Sequence, residues 1–245
     1  MKKYCAWLTS GIGDKLHMLE HALNNNDIND IDFYWVKSRL FSMYDPYQFF
    51  EIDLPLIIVE EKDARKKKEE VFSLYPADNI FNKKGEWKTR PPLFSKYIRI
   101  KKSVTQLVDD MELSNSIGLH LRSYNAPLVF NNKEITRGKE LDDILIAGAE
   151  AKMSKYENYF IASDSKYILD HFKDFKNVVT IPSQFDETGY SNKLNDQSFY
   201  FDLCNLYALS RCKMIYSTIG GFSRLASVWG SIPTKKLIEG FTRKT

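Results

Sequence analysis

Residues 196–229 read DQSFYFDLCNLYALSRCKMIYSTIGGFSRLASVW, and the order of patterns in them points to an α/β fold. Phe199, Leu203, Leu206 and Leu209 recur at helical spacing and give one apolar face. The run from Lys213 to Tyr216 reads as a short buried strand, and a new helix starts near Phe222. Between them lie Ser217, Thr218, Gly220 and Gly221. A strand that enters a helix through such a turn leaves backbone N–H groups and the helix dipole converging on one point. The missing Cβ of glycine lets an anion come close to them. Gly220-Gly221 also reads as a plain tight turn.

A second stretch, Ser116 to Asn125, reads SIGLHLRSYN. Ile117, Leu119 and Leu121 alternate with Gly118 and His120, as in a strand, and the strand ends at Arg122. An arginine at the carboxyl end of a strand in an α/β sheet faces the crevice where ligands bind, and its fork suits a diphosphate. Taken alone, Arg122 equally suits a surface ion pair, and His120 a core histidine with its hydrogen bonds satisfied. A third stretch, Tyr159 to Ser165, is an apolar strand ending in Ser163-Asp164-Ser165, whose carboxylate is a candidate for a ribose or a base edge.

In this order the three stretches resemble the fucosyltransferase superfamily, the group of α1,2-, α1,6- and protein O-fucosyltransferases. The matching positions are His120-Leu121-Arg122, then Ser163-Asp164, then Asp202-Leu203 with Ser210-Arg211-Cys212, and the turn Ser217-Thr218-Ile219-Gly220-Gly221-Phe222-Ser223-Arg224. The resemblance covers about the last half of the chain. It departs from the family at Ser123, where a second arginine is usual, at Asn125, near the place of an acid, and at Gly220-Gly221, where the family has serines. It implies a GT-B fold. It also implies that His120, Asp164 and Asp202 hold the base and ribose of a nucleotide sugar, with Asp202 on the N–H edge of guanine. Ser163 and Phe222 belong to the same implied site.

The chain of 245 residues is 43% hydrophobic and 27% charged, enough to bury a sizeable core. Its net charge of +3 does not argue for nucleic acid as a partner. Cys5, Cys204 and Cys212 lack metal-site spacing, and the last two are expected reduced and buried. No apolar run reaches the ~20 residues of a membrane span, and Tyr4–Leu8 is too short for a signal-peptide core of ~7–15 residues. A cytoplasmic protein is the simplest expectation.

Tyr4 to Leu8 reads as the first strand, followed by Gly11-Ile12-Gly13-Asp14 and a helix through Leu16, Leu19 and Leu23. The loop lacks the third glycine of a dinucleotide fingerprint and the GK[ST] of a P-loop. This counts against a dinucleotide-binding loop and against a kinase or a sulfotransferase. Gly11, Gly13 and Asp14 match instead the Gly-x-Gly-Asn loop that opens many members of the resembled family. The other reading is a plain turn with Asp14 as helix N-cap. Asp32–Val36 and Leu56–Val59 read as strands, and Asp30-Ile31-Asp32 as a turn. The aromatic stretch 40–50 reads as packing or a sugar platform, with Pro46 breaking any helix. Residues 60–72 read as a charged, solvated helix, 75–92 as weakly structured, and 94–113 as mostly helical.

Residues 125–138 form a long connection containing Lys133, Glu134 and Arg137. Helices at 141–153 and 166–175 and strands at 159–163 and 178–181 follow. The alternation predicts an α/β protein with mostly parallel sheets in two Rossmann-like domains facing a cleft. The first, 1–112, would be the acceptor side, and the second, 113–245, the nucleotide-sugar side. The expected activity is inverting transfer, without a metal or other cofactor, of a deoxysugar to a glycan acceptor. The donor would be GDP-fucose or another nucleotide deoxysugar. Arg122 would meet the leaving-group charge together with the amides at Gly220-Gly221 and the hydroxyls of Ser217, Thr218 and Ser223. Asp14 is the first candidate general base and Glu134 the second. A rhamnosyltransferase, or a non-catalytic nucleotide- or glycan-binding module of the same fold, stays open.

Overall fold

The computed structural model describes residues 2–6, 12–37, 45–60, 62–63, 92–123, 128–191, 196–218 and 220–243. They fall into two compact units, one of Met1–Val104 with Lys193–Asp196, the other of Thr105–Asn192 with Gln197–Thr245. Among the described residues no helix is long and apolar enough to cross a membrane.

The first unit opens with β1 (Lys2–Ala6), α1 (Ile12–Asn25) and β2 (Ile31–Lys37), continues through α2 (Pro46–Phe49), β3 (Phe50–Ile52) and β4 (Leu56–Glu60), and closes with β5 (Ile98–Ile100). Strands β1, β2 and β4 form a parallel sheet with β2 at its centre. Being central, β2 buries Phe33, Trp35 and Val36, against which α1 contributes buried Leu16, Leu19 and Ala22. Two ionisable groups of α1 are buried with backbone partners. Lys15 Nζ donates to the Val36 carbonyl at 2.8 Å, and a Glu20 carboxylate oxygen accepts from the Phe94 amide at 2.9 Å.

Three expectations are corrected here. α1 begins at Ile12, so Asp14 stands in the first turn and is not the N-cap. Pro46 starts α2, with Asp45 as N-cap, because a proline at N1 lacks only an N–H that would be unpaired anyway. The stretch 94–113 is not one helix: it contains β5, which pairs antiparallel with β3, before α3 (Lys102–Asp109). Phe41 and Tyr44, nearly all of the charged helix and the stretch 75–91 lie outside the described residues.

The second unit is built on β6 (Ile117–Leu121), the hairpin β7 (Leu128–Phe130) and β8 (Lys133–Ile135), α4 (Lys139–Glu150), β9 (Tyr159–Ser163), α5 (Lys166–Phe172), β10 (Val178–Thr180), α6 (Asp196–Arg211), β11 (Met214–Ser217), α7 (Gly221–Gly230), β12 (Thr234–Lys236) and β13 (Thr242–Arg243). Five strands form one parallel sheet in the order β10-β9-β6-β11-β12. Every residue of β6 is buried, as a central strand covered on both faces requires, whereas edge strand β12 is exposed and ends in two lysines. Gly118 lets α6 lie close on β6, since a Cβ there would stand 2.9 Å from a Leu209 methyl. Cys204 and Cys212 are buried free thiols, and burial pushes them up to about 11 and about 12. The connection 125–138 is not a plain loop. It holds the β7–β8 hairpin, turned by Asn131 and Asn132 at φ 50° and 61°, the left-handed pair that a two-residue hairpin needs. β12 and β13 add strands that the sequence reading did not contain.

Candidate functional site

From β6 the chain moves to β9 and then β10 on one side, and returns to β11 and β12 on the other. The direction of winding therefore reverses between β6 and β11. Connections leave the ends of these two strands on opposite faces of the sheet, which opens a crevice at their carboxyl ends. In the parallel register Ser217 stands opposite His120, so Arg122 and Thr218 emerge side by side. The Thr218 amide donates to the His120 carbonyl at 3.2 Å, and the Arg122 amide donates to Thr218 Oγ1 at 3.4 Å.

α7 starts at this point. Its N-cap, Gly220, is extended and has no side chain with which to cap the first turn. A Cβ placed on Gly221 would meet nothing within 4 Å. The first-turn amides of α7 stand at the positive end of the helix dipole. Phe222 packs its ring on His120, with centroids 5.1 Å apart and planes 26° from parallel. Ser217, Thr218 and Ser223 are all buried.

Among the described residues, the buried polar atoms here that lack a hydrogen-bond partner include His120 Nδ1 and Ser223 Oγ. Leaving such groups unpaired in a folded chain costs on the order of 1–3 kcal/mol each, a cost that a bound ligand removes. Burial holds His120 down to about 3, with a further push from the Arg122 charge, so its ring is neutral at neutral pH.

On the other side of β6, Asp164 is held from several directions. Its Oδ1 accepts from the Ser123 amide at 2.7 Å and its Oδ2 from Arg137 Nη2 at 2.7 Å, while Arg122 Nε stands 3.9 Å from the same Oδ2. Burial pushes the Asp164 carboxyl up, and the two arginines and the Ser123 amide oppose that push. Ser163 Oγ donates to the Leu121 carbonyl at 2.7 Å. Asp142, buried on α4, accepts from the Ser123 hydroxyl, from Ser165 Oγ at 2.6 Å and from the Tyr190 hydroxyl at 3.1 Å.

The structure thus brings together His120, Arg122, Ser163, Asp164, Ser217, Thr218, Gly220, Gly221, Phe222 and Ser223 around the ends of adjacent strands. Asp202 is half-buried on α6, and Glu134 is exposed on β8 opposite Val129. Gly13 and Asp14 belong to α1 in the first unit, while Gly11 and the Asp14 side chain lie outside what is described. Sequence reasoning left Asp142, Tyr190 and Arg137 out of the site. Asp142 carried a signal: with Leu145, Ile146 and Ala149 it falls on the apolar face of α4, where a carboxylate needs partners.

No protein-family model matches the chain, and no curated protein matches it in sequence. Solved structures do match. Fucosyltransferase NodZ from Bradyrhizobium superposes with a TM-score of 0.57 at 16% identity, over 98% of this chain and 97% of that one. NodZ α-1,6-fucosyltransferase soaked with GDP-fucose gives 0.55 at 15% identity, over 93% and 92% of the two chains. The same enzyme co-crystallised with GDP gives 0.55 at 14%, over 92% and 91%. The chain has a fucosyltransferase-like α/β fold of the GT-B type.

Proposed function

We propose that this chain is an inverting glycosyltransferase that moves a deoxysugar, fucose first among them, from a nucleoside diphosphate donor to a glycan acceptor. The observation that carries this reading is the cradle at the switch point. An arginine, a helix N-terminus entered through Gly220-Gly221, and the His120 Nδ1 and Ser223 Oγ atoms, which lack a hydrogen-bond partner among the described residues, converge at the ends of β6 and β11.

As the glycosidic bond breaks, negative charge builds on the β-phosphate of the leaving group. Arg122 and the amides of Gly220 and Gly221 meet that charge with groups already oriented, without calling on a metal. Ser217, Thr218 and Ser223 add hydroxyl donors. His120, kept neutral, supplies a hydrogen bond rather than a second charge. Asp202 takes the N–H edge of the base, which favours guanine. Gly11 and Gly13 line the acceptor side, and Asp14 takes the acceptor hydroxyl proton, with Glu134 as the alternative base.

Calorimetric titration with GDP, UDP and their sugars tests the proposal. Wild type is expected to bind a nucleoside diphosphate, and Arg122→Ala to bind it tenfold or more weakly, about the worth of one charge-assisted hydrogen bond. If wild type binds none of them, or Arg122→Ala binds as well as wild type, the proposal is refuted. Donor hydrolysis and transfer, measured beside binding, separate an enzyme from a binding module of the same fold. Full turnover by Asp14→Asn removes Asp14 as the base.

A further inference from the structure

Asp142 belongs to none of the sequence motifs. It lies on α4, 1% exposed, on the face that buries Leu141, Leu145, Ile146 and Ala149. A carboxylate is costly to bury unless donors surround it, so the carboxylate and its donors fix one another in place. Its donors come from three separate parts of the chain. The Ser123 hydroxyl follows the end of β6. Ser165, the N-cap of α5, donates at 2.6 Å, and the Tyr190 hydroxyl, from the connection after β10, donates at 3.1 Å.

Two of these three donors belong to groups that hold Asp164. The Ser123 amide donates to Asp164 Oδ1 at 2.7 Å. The Tyr190 ring carries the Arg137 guanidinium at 4.6 Å from its centroid, and Arg137 Nη2 donates to Asp164 Oδ2 at 2.7 Å. Beside Tyr190, the Ser191 amide donates to the Asp164 carbonyl at 2.7 Å. Asp142 therefore acts on one oxygen of Asp164 through Ser123, and on the other through Tyr190 and Arg137. Asp164 keeps a use for that placement. A carboxylate offers about four acceptor positions, and this side chain stays 17% exposed at the carboxyl end of β9. A ribose hydroxyl or a base N–H can add to the donors it already has. An asparagine at 142 would turn an NH2 group toward hydroxyls that now donate, and would release at least one of them.

We propose that Asp142 is a positioning residue: by bracing Ser123 and Tyr190 it fixes the Asp164 carboxylate where it accepts a hydrogen bond from the nucleoside part of the donor. This inference rests on reading the crevice at the switch point as a nucleotide site.

The test is a double-mutant cycle read by calorimetry, with the better-binding of GDP and UDP as titrant. The proteins are wild type, Asp142→Asn, Asp164→Ala and the Asp142→Asn/Asp164→Ala pair, each shown folded by circular dichroism at the titration temperature. Asp164→Ala is expected to weaken binding about tenfold or more, and Asp142→Asn about fivefold. In the Asp164→Ala background the Asn change is expected to cost less than about twofold, because its effect runs through Asp164. A residue that only supports the fold would move the urea midpoint in both backgrounds and leave the affinity of the folded protein alone. Should the Asn variant fail to fold, the Ser123→Ala/Tyr190→Phe protein takes its place in the cycle. It removes the two bracing hydroxyls and keeps the ring under Arg137. Unchanged binding by the variant used overturns the inference, and so does an equal loss with and without Asp164. If wild type binds neither nucleotide, the nucleotide reading of the crevice falls and takes this inference with it. If wild type binds and the cycle fails, only the role of Asp142 falls.

Discussion

Acid should destabilise the second unit through one ring, that of His120. The imidazole is buried in β6 against Phe222, and burial with the nearby Arg122 charge holds it down to about 3 from the ordinary 6.5. The unfolded chain therefore binds a proton between pH 6.5 and 3 that the folded chain refuses. Stability must fall as pH drops through that window, by about 1.4 kcal/mol per pH unit once well below 6.5. Summed from pH 7 to pH 5 the loss is about 2 kcal/mol, and any folded value below about 4 leaves that figure almost unchanged. Asp164, whose carboxyl is pushed up, acts in the opposite sense at the acid end of the range. Among the described residues, the Arg122 charge and the Phe222 ring act on His120. The assay is urea unfolding at pH 7, 6 and 5 for wild type and His120→Phe, which keeps a ring on Phe222 but cannot take a proton. Contributions from other groups, including His21, are common to both proteins and cancel in the difference. The variant is expected to lose about 2 kcal/mol less than wild type between pH 7 and 5. Equal slopes, or a His120 ring proton titrating in NMR with a midpoint near 6.5, would refute the reasoning.

Other perturbations give sharp expectations. A Cβ at Gly230 would overlap the Ser210 carbonyl oxygen and stand 2.8 Å from its carbon, where backbone cannot yield. Gly230→Ala should therefore cost about 3 kcal/mol or more in urea unfolding, against a smaller cost for Gly118→Ala, whose nearest neighbour is a movable Leu209 methyl at 2.9 Å. Asp142→Asn replaces an oxygen that accepts hydroxyl protons with an NH2 group, and should cost about 2–4 kcal/mol by the same measurement. At the β7–β8 turn, Asn132→Gly should be neutral or mildly stabilising, whereas Asn132→Val, forced to φ near 61°, should cost about 1–2 kcal/mol.

What could be read from the residues alone was local. The stretch 196–229 declared helix, strand, turn and helix because apolar spacing and a Gly-Gly break act within a few residues, and α6, β11 and α7 follow that order. The strand ending in Arg122 was legible for the same reason. β5 was not. Its three residues earn strand geometry only from β3, whose partners Phe50 and Ile100 are far apart in the chain, and nothing nearby announces the pairing. The β7–β8 hairpin had a local signal in Asn131-Asn132, but its flanking strands are too short for alternation to show.

The amino-acid order by itself determined the element types, their α/β alternation and the candidate motifs, since these follow from short-range periodicity and turn chemistry. Only the tertiary structure decided that the winding reverses between β6 and β11, that His120 is buried against Phe222, and that Arg137 closes on Asp164. Each of those outcomes is a strand pairing or a side-chain contact between residues distant in sequence. Their energies depend on burial and on which charges share a small volume, and neither exists until the chain has packed.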